Sequence, residues 1–502
     1  MFTTPADVIA LYAQSQPNRI AARDLVTGES WSYAEFDLAI ARLANHLLSS
    51  GGQAGDRVAV LARNSARQVM LHLACCRAGM VFAPINWRLS ATEISVLLEL
   101  AEPRFLFTDQ ASEASLDNRD QAQYLSDFIE CSSGCAPLLN GAQSLDRPSL
   151  VLFTSGTTSK PKGVLLSERN LMMTGINFGM LTRVNNSSCF LCEAPMFHVI
   201  GIVTNIRSVL QQGGTILVSD GFKPARTLNW FADPSLAISH YIGVPQMVES
   251  FRQEADFTPE ALRSLTALVT GGAPHKRSDI LAWLEDNIPV VSGFGMSEAG
   301  TIFGMPTDVE VIRKKAGSVG VTVPWLEVRV IDGNGQPCAV GQEGELLIRG
   351  ENVMSHYLNN PEATRAAFMS EGWFKTGDIV RFDEEGFFWV MDRKKDMYIS
   401  GGENIYPAEI EAVLIDYPNL REAAVVGVAD EKWGEVGCVV AVPANPDDFD
   451  GEDLLNFLSG RLARYKIPKK VIVAERLPRT STGKLQKALL KSDISNGELD
   501  MI

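Results

Sequence analysis

The chain has 502 residues, too many for one simple core, and its 46% apolar and 21% charged content is ordinary for a globular protein. A formal charge of −15 argues against a general binder of nucleic acid or anionic membrane, while leaving room for a local basic site for a nucleotide. The opening MFTTPADVIALYAQ has no basic stretch ahead of an apolar core, the apolar run Val69 to Ile85 is broken by His72 and Arg77, and the final Leu-Asp-Met-Ile is no peroxisomal address. The expectation is a cytoplasmic protein without an integral membrane segment. The eight cysteines show no metal pattern and are expected as reduced, buried thiols.

In chain order, Ser32-Tyr33-Ala34-Glu35 is a capping box opening a helix with Phe36, Ile40, Leu43 and Leu47 on one face, stopped by Gly51-Gly52. Strands are expected at Arg57–Ala62, Val81–Ile85 and Phe105–Thr108, with a second capping box at Ser90-Ala91-Thr92-Glu93. Residues 111–148 read as a polar surface excursion. Further strands are expected at 150–153, 189–194, 215–219, 238–242 and 267–270, and a helix start at Thr258-Pro259-Glu260. This alternation says α/β. From Gly317 to Val390 short β-like runs between Gly, Asp and Asn turns suggest a small β-rich subdomain. After Asp392-Arg393-Lys394-Lys395-Asp396 comes a self-contained αβ pattern: a helix from Pro407, a strand at 423–428, a helix at 452–462 and a strand near Val471. The expected architecture is a large N-terminal domain of αβ layers, residues 1–392, and a small mobile α+β domain, residues 393–502.

The most informative stretch is Leu150 to Leu165, LVLFTSGTTSKPKGVL. A short apolar strand runs into a segment, Thr154 to Gly163, with five hydroxyls, two glycines and two lysines. Backbone N–H groups in a glycine turn, with hydroxyls and ammonium groups added, make a cradle for polyphosphate. It is not a Walker A loop, because Lys162 is followed by Gly163 rather than Ser or Thr. Other segments add to it: Pro195-Met196-Phe197-His198 with Gly201, Gly271-Gly272-Ala273-Pro274, Gly293-Phe294-Gly295-Met296-Ser297-Glu298, Thr376-Gly377-Asp378, Ser400-Gly401-Gly402 and Pro478 to Lys484, PRTSTGK. Taken singly, each has a bland reading as a turn or a solvated surface charge.

In this order, from about Ser32 to Lys484, the segments resemble the signature of the adenylate-forming superfamily, which includes acyl-CoA synthetases, peptide-synthetase adenylation domains and luciferases. The resemblance implies ATP/AMP contacts from Thr154, Ser155, Gly156, Thr157, Thr158, Lys162, Gly272, Ala273, Pro274, Gly293, Phe294, Gly295, Met296 and Ser297. Asp378 would hold the ribose hydroxyls with Arg393 beside it. It implies Mg²⁺ on Glu298, with Thr154 as a weaker ligand. Catalytic roles fall to Lys484, to Glu298 and to His198, beside the reacting carboxylate. Lys395 falls at the family's hinge, and Ser400, Gly401 and Gly402 on its coenzyme A tunnel. The acyl pocket would include Phe197, Val203, Val244, Gly271 and Gly300, within segments 196–205, 241–247, 271–275 and 293–301. Two departures are local: Ser159 stands where the family usually has Gly, and His356 where it usually has Gly before Tyr357.

The implied reaction is ATP-dependent: a carboxylic acid gives an acyl-adenylate and then an acyl-CoA, with a medium-chain fatty, aryl or alicyclic acid as substrate. A stand-alone acyl-AMP ligase serving a carrier protein stays open, as do a homodimer and a non-catalytic nucleotide sensor. A peptide-synthetase domain is disfavoured, because Val199 to Asn205 holds no Asp to pair with a substrate amine.

Overall fold

The structure, a computed structural model, describes residues 7–139, 141, 144–154, 161–273, 275–394, 396–400, 403–459, 461–462, 464–479 and 485–499. By compactness the chain divides into two units, residues 1–328 with 348–374 and residues 329–347 with 375–502.

The first unit is built on two sheets with helices between the strands in sequence. One has nine strands. Val290–Met296, Ala267–Thr270, His240–Gly243, Cys189–Cys192, Thr215–Val218 and Ile20–Asp24 run parallel in that order. Antiparallel Gly300–Gly304 and Val321–Thr322 close one side, and Ser30–Ser32 the other. The second sheet has seven strands in the order His356–Tyr357, Lys162–Ser167, Pro148–Thr154, Val81–Pro84, Arg57–Leu61, Phe105–Thr108 and Gln123–Tyr124. Its parallel strands are nearly continuous apolar runs, as expected where both faces are covered.

Both capping boxes form. Ser32 and Ser90 accept the Glu35 and Glu93 N–H groups, and each glutamate reaches back to the serine N–H at 2.8 Å. Helix Tyr33–Ser49 then buries Phe36, Ile40, Leu43 and Leu47. Each such side chain contributes about 2 kcal/mol when fully buried. Helix Ala66–Ala78 is buried on all sides, which explains why its sequence carries little amphipathic signal, and it ends on Gly79 at φ +75°.

Several expectations are corrected. Thr258-Pro259-Glu260 opens only a 3₁₀ turn, Pro259–Leu262, because Leu262 alone has a core face to fill. The supposed excursion holds a strand, Gln123–Tyr124, and a helix, Leu125–Ser132, held down by buried Leu125 and Phe128. Five cysteines are buried as expected, but Cys131 is exposed, and Cys135 and Cys338 are partly so.

The second unit holds most of a four-stranded sheet, Leu326–Ile331, Gly344–Gly350, Phe374–Phe382 and Phe388–Arg393, and a five-stranded one. In the latter, Glu403–Ile405, Tyr398–Ser400, Gly434–Pro443 and Leu420–Asp430 follow in order, and Lys470–Val473 pairs in parallel with Gly434–Pro443. Helices Pro407–Leu414 and Gly451–Ser459 bury Ile410, Leu414, Leu454 and Leu458 in one cluster with Val425 and Val439.

Candidate active site

The polyphosphate segment is the loop of a hairpin. Strands Pro148–Thr154 and Lys162–Ser167 are antiparallel, with Thr154 opposite Lys162. The loop residues Ser155, Gly156, Thr157 and Thr158, and with them Ser159, lie outside the described residues. The hairpin is anchored from beneath by a buried ion pair. Glu168, which opens the following helix, accepts Ser149 Oγ at 2.7 Å and Arg207 Nη1 at 2.6 Å. Burial opposes its charge, but Arg207 and Arg147 outweigh that and hold Glu168 down at about 2. Burial and Arg207 keep the adjacent His72 well below the usual imidazole range, so it is neutral and accepts from Arg207 Nε at 3.3 Å.

Glu298 sits in a second hairpin. Strand Val290–Met296 runs through Gly293, Phe294, Gly295 and Met296, turns at Ser297, and returns as Gly300–Gly304. The turn is strand to strand, not strand to helix. Gly295 is required there, because a Cβ would lie 2.2 Å from the Gly300 carbonyl oxygen. Phe294 is half-buried and stacks on Phe303 at 6.0 Å between centroids.

Glu298 itself is buried, and Tyr357 Oη donates to its Oε1 at 2.9 Å. Its backbone oxygen accepts the Met354 N–H at 2.7 Å. Asn352 Nδ2 donates to the Ala299 carbonyl at 2.7 Å, and Asn170 Nδ2 to the Glu351 and Val353 carbonyls at 2.7 and 2.9 Å. Tyr357 belongs to the short strand beside Lys162–Ser167, opposite Val164, and the Lys162 ammonium stands 5.0 Å from its ring centroid. One tyrosine thus brings the hairpin lysine and the buried carboxylate together. Tyr357 carried no role in the sequence reading, since its segment read as structural.

The four segments assigned to the acyl pocket adjoin one another, the fourth through Gly271, where a Cβ would lie 3.3 Å from the Gly293 oxygen. After Pro195, Met196 and Phe197 are buried and His198 is half-buried, its ring 4.8 Å from that of Phe197. Residues Ile200–Asn205 form a π-helix, a form often found at functional sites, starting where Gly201 passes so close that a Cβ would be 2.2 Å from the Pro195 oxygen. Gly272 has φ +80°, and a Cβ there would meet Val244 Cγ1 at 3.7 Å and Ile200 Cδ1 at 3.8 Å. Gly271 N–H donates to the Gly243 oxygen at 3.2 Å, and Ala273 is half-buried. Val203 is fully buried, and Pro274 is outside the described residues. Gly300, at φ +63°, packs on Thr174, whose Cγ2 would be 2.4 Å from a Cβ.

Glu193, unremarked in the sequence, is buried against Tyr241. Its Oε2 accepts Thr227 Oγ1 at 2.8 Å and Tyr241 Oη at 2.9 Å. Burial pushes this carboxyl up to about 7, against those hydrogen bonds and the Arg226 charge.

In the second unit Asp378 and Arg393 are cross-strand partners, with Arg393 Nε 2.6 Å from Asp378 Oδ1. Asp378 is buried, its N–H bonded to Thr376 Oγ1 at 3.0 Å, and Gly377 takes φ +72°. Arg393 stays open to solvent. Ser400 pairs with Glu403 and Gly434. Lys395, Gly401, Gly402 and Lys484 lie outside the described residues. Among the described residues no helix is long and apolar enough to cross a membrane.

The chain is similar to known proteins over nearly all of its length. A family model described as AMP-binding enzyme matches residues 10–358, and one described as AMP-binding enzyme C-terminal domain matches residues 409–484. The chain is 36% identical over 478 residues to a feruloyl-CoA synthase of Amycolatopsis sp, covering 95% of this chain and 96% of the relative. It is 35% identical to an indoleacetate–CoA ligase of Aromatoleum aromaticum, covering 93% of each, and 34% identical to a long-chain-fatty-acid–CoA ligase of Mycobacterium tuberculosis, covering 92% and 93%. The solved o-succinylbenzoate coenzyme A synthetase of Bacillus subtilis, in complex with ATP and magnesium ion, superposes with a TM-score of 0.86 at 31% identity over 96% of this chain and 98% of that one.

Proposed function

The chain belongs to the AMP-binding enzyme family and is an AMP-forming carboxylate–CoA ligase, and we propose that its acid is apolar, aryl first and medium-chain fatty or alicyclic second. The observation that carries the substrate reading is the convergence of Ile200, Val244 and Gly272, an uncharged wall with a glycine gap. The aryl names of two of the relatives support it.

In the proposed reaction the carboxylate oxygen attacks the α-phosphorus of ATP. The bond to the β,γ-unit breaks and pyrophosphate leaves, giving an acyl-adenylate. The sulfur of coenzyme A then attacks the acyl carbonyl, the thiol proton goes to solvent, and AMP leaves. The hairpin loop and Lys162 hold the phosphates, Asp378 with Arg393 the ribose, and His198 orients the acid. Lys484 offsets the repulsion between carboxylate and α-phosphate, and one such donor is worth about 10²–10³ in rate. Glu298 fits a hard cation: it is a buried carboxylate with one oxygen oriented by Tyr357. Mg²⁺ held there would spread the charge that builds on the phosphates. We place a domain boundary at 392/393, with a pivot at Lys395 that withdraws Lys484 and presents Gly402 to the thiol. Its use of ATP and coenzyme A supports a cytoplasmic location as part of this reading.

The test is a mass-spectrometric screen of purified protein with Mg·ATP, coenzyme A and a mixed panel of fatty, aryl and alicyclic acids. New aryl-CoA masses support the reading. Acyl-AMP without thioester would point to a carrier-protein acceptor, and products from charged acids only would overturn the apolar assignment.

A further inference from the structure

The proposed acid wall is tied together from behind by one histidine. Strand Ala267–Thr270 ends at Thr270, the turn Gly271 to Ala273 follows, and His275 comes just after, its side chain only 3% exposed. His275 Nδ1 lies 3.0 Å from Thr270 Oγ1, and Nε2 lies 3.2 Å from Glu249 Oε1. Glu249 is on helix Pro245–Phe251, which starts immediately after Val244. The same Glu249 oxygen accepts Trp283 Nε1–H at 2.7 Å, from helix Arg277–Glu285. A single imidazole therefore joins the end of the strand, the turn that carries Gly272, and the helix that follows Val244. Gly272 and Val244 are the two wall residues whose separation leaves room for one methyl-sized group.

We propose that His275 is a positioning residue for the acid substrate: the Thr270–His275–Glu249 latch fixes the gap between Gly272 and Val244 and so sets how tightly the acid is held. The inference rests on the reading of this wall as the acid site. The latch works in either charge state of the ring. A neutral imidazole protonated on Nε2 donates to Glu249 and accepts from Thr270, and an imidazolium donates to both. The surrounding charges are consistent with this. Asp279 offers a carboxylate oxygen within 4.8 Å of the His275 and Glu249 ligand atoms. Arg252, stacked on Trp283 at 3.9 Å, is paired with Asp286 at 2.6 Å. The latch thus acts through geometry.

The test separates binding from chemistry. His275→Ala and Glu249→Ala should each raise KM for the acid about tenfold, the worth of one buried hydrogen bond, while kcat and KM for ATP stay within about twofold. Glu249→Gln keeps an acceptor for both donors and should stay close to wild type. Thr270→Val removes only the Nδ1 link and should raise the same KM by less. The double variant His275→Ala/Glu249→Ala should lose less than the sum of the two single ones, because the His275–Glu249 link is already broken in each. Additive losses, a fall in kcat with acid KM unchanged, or a Glu249→Gln variant as impaired as Glu249→Ala would overturn the latch. Amide hydrogen exchange over residues 270–273 should be faster in His275→Ala than in wild type. Unchanged exchange would also overturn the latch, whereas a wild type that turns over no acid overturns only the functional reading.

Discussion

The Tyr357 hydroxyl donates to Glu298 Oε1 at 2.9 Å, across 59 residues of sequence, and the same ring carries the Lys162 ammonium 5.0 Å from its centroid. The hairpin proposed to hold phosphate and the proposed cation ligand are thereby held by one side chain. Tyr357→Phe removes the hydrogen bond and leaves the ring. It should cost about 1 kcal/mol in stability and lower kcat/KM for Mg·ATP about tenfold, with little change in KM for the acid. Steady-state kinetics with each substrate varied in turn checks this, and a loss confined to the acid would contradict it.

Removing the partner of a buried charge is severe, because the charge left behind has no water. Arg207→Met strands Glu168 beneath the phosphate hairpin, with Arg147 as its remaining cation at 3.7 Å. The expected loss is about 3 kcal/mol or more, read by urea unfolding. The pair also sets an acid limit. Glu168 is held down at about 2 in the folded chain, so its contribution is present above the ordinary carboxylate range and is lost as pH falls through the folded value.

Glu193 has the opposite sign. Its folded value of about 7 lies above the ordinary one, so its contribution is present at low pH and is lost as pH rises towards 7. Glu193→Gln keeps an acceptor for Thr227 and Tyr241 without the charge. Relative to this variant, the wild type should lose about 2–3 kcal/mol between roughly pH 5 and pH 8. Unfolding curves across that range, run on both proteins, should diverge with rising pH. Parallel curves would show that Glu193 ionises at an ordinary pH.

What could be read in the sequence was local. The capping boxes at Ser32 and Ser90 each need only a serine and a glutamate three residues on, and both formed. A third box, at Ser167, escaped notice because Asn170 takes the glutamate's place. Strand Gly434–Pro443 also escaped, because Val436 to Val442 are buried on both faces and show no alternation. The motif residues could be found, but the contacts that hold them could not. Tyr357 meets Glu298, and Asn170 meets Glu351 and Val353, only through the pairing of distant strands and helices. Glu193 looked like a polar residue near the end of an expected strand, and nothing in its spacing told of Tyr241.

The two half-reactions should separate at Lys484. Lys484→Ala should reduce adenylation, read as acid-dependent ATP–pyrophosphate exchange, by about 10²–10³ while sparing thioester formation from supplied acyl-adenylate. Equal losses in both steps would contradict a lysine that serves the first step alone.

The most direct test of the central claim is a matched pair of acids, one aryl monocarboxylate and the same ring carrying a second carboxylate at its far end. An uncharged wall of Ile200, Val244 and Gly272 offers no partner to a second charge brought against it, so kcat/KM should fall by about tenfold or more for the diacid. Equal use of the two acids, or preference for the diacid, would contradict the account and point to a cation in the pocket, for which Arg88, stacked over Phe197 at 5.8 Å, is a candidate.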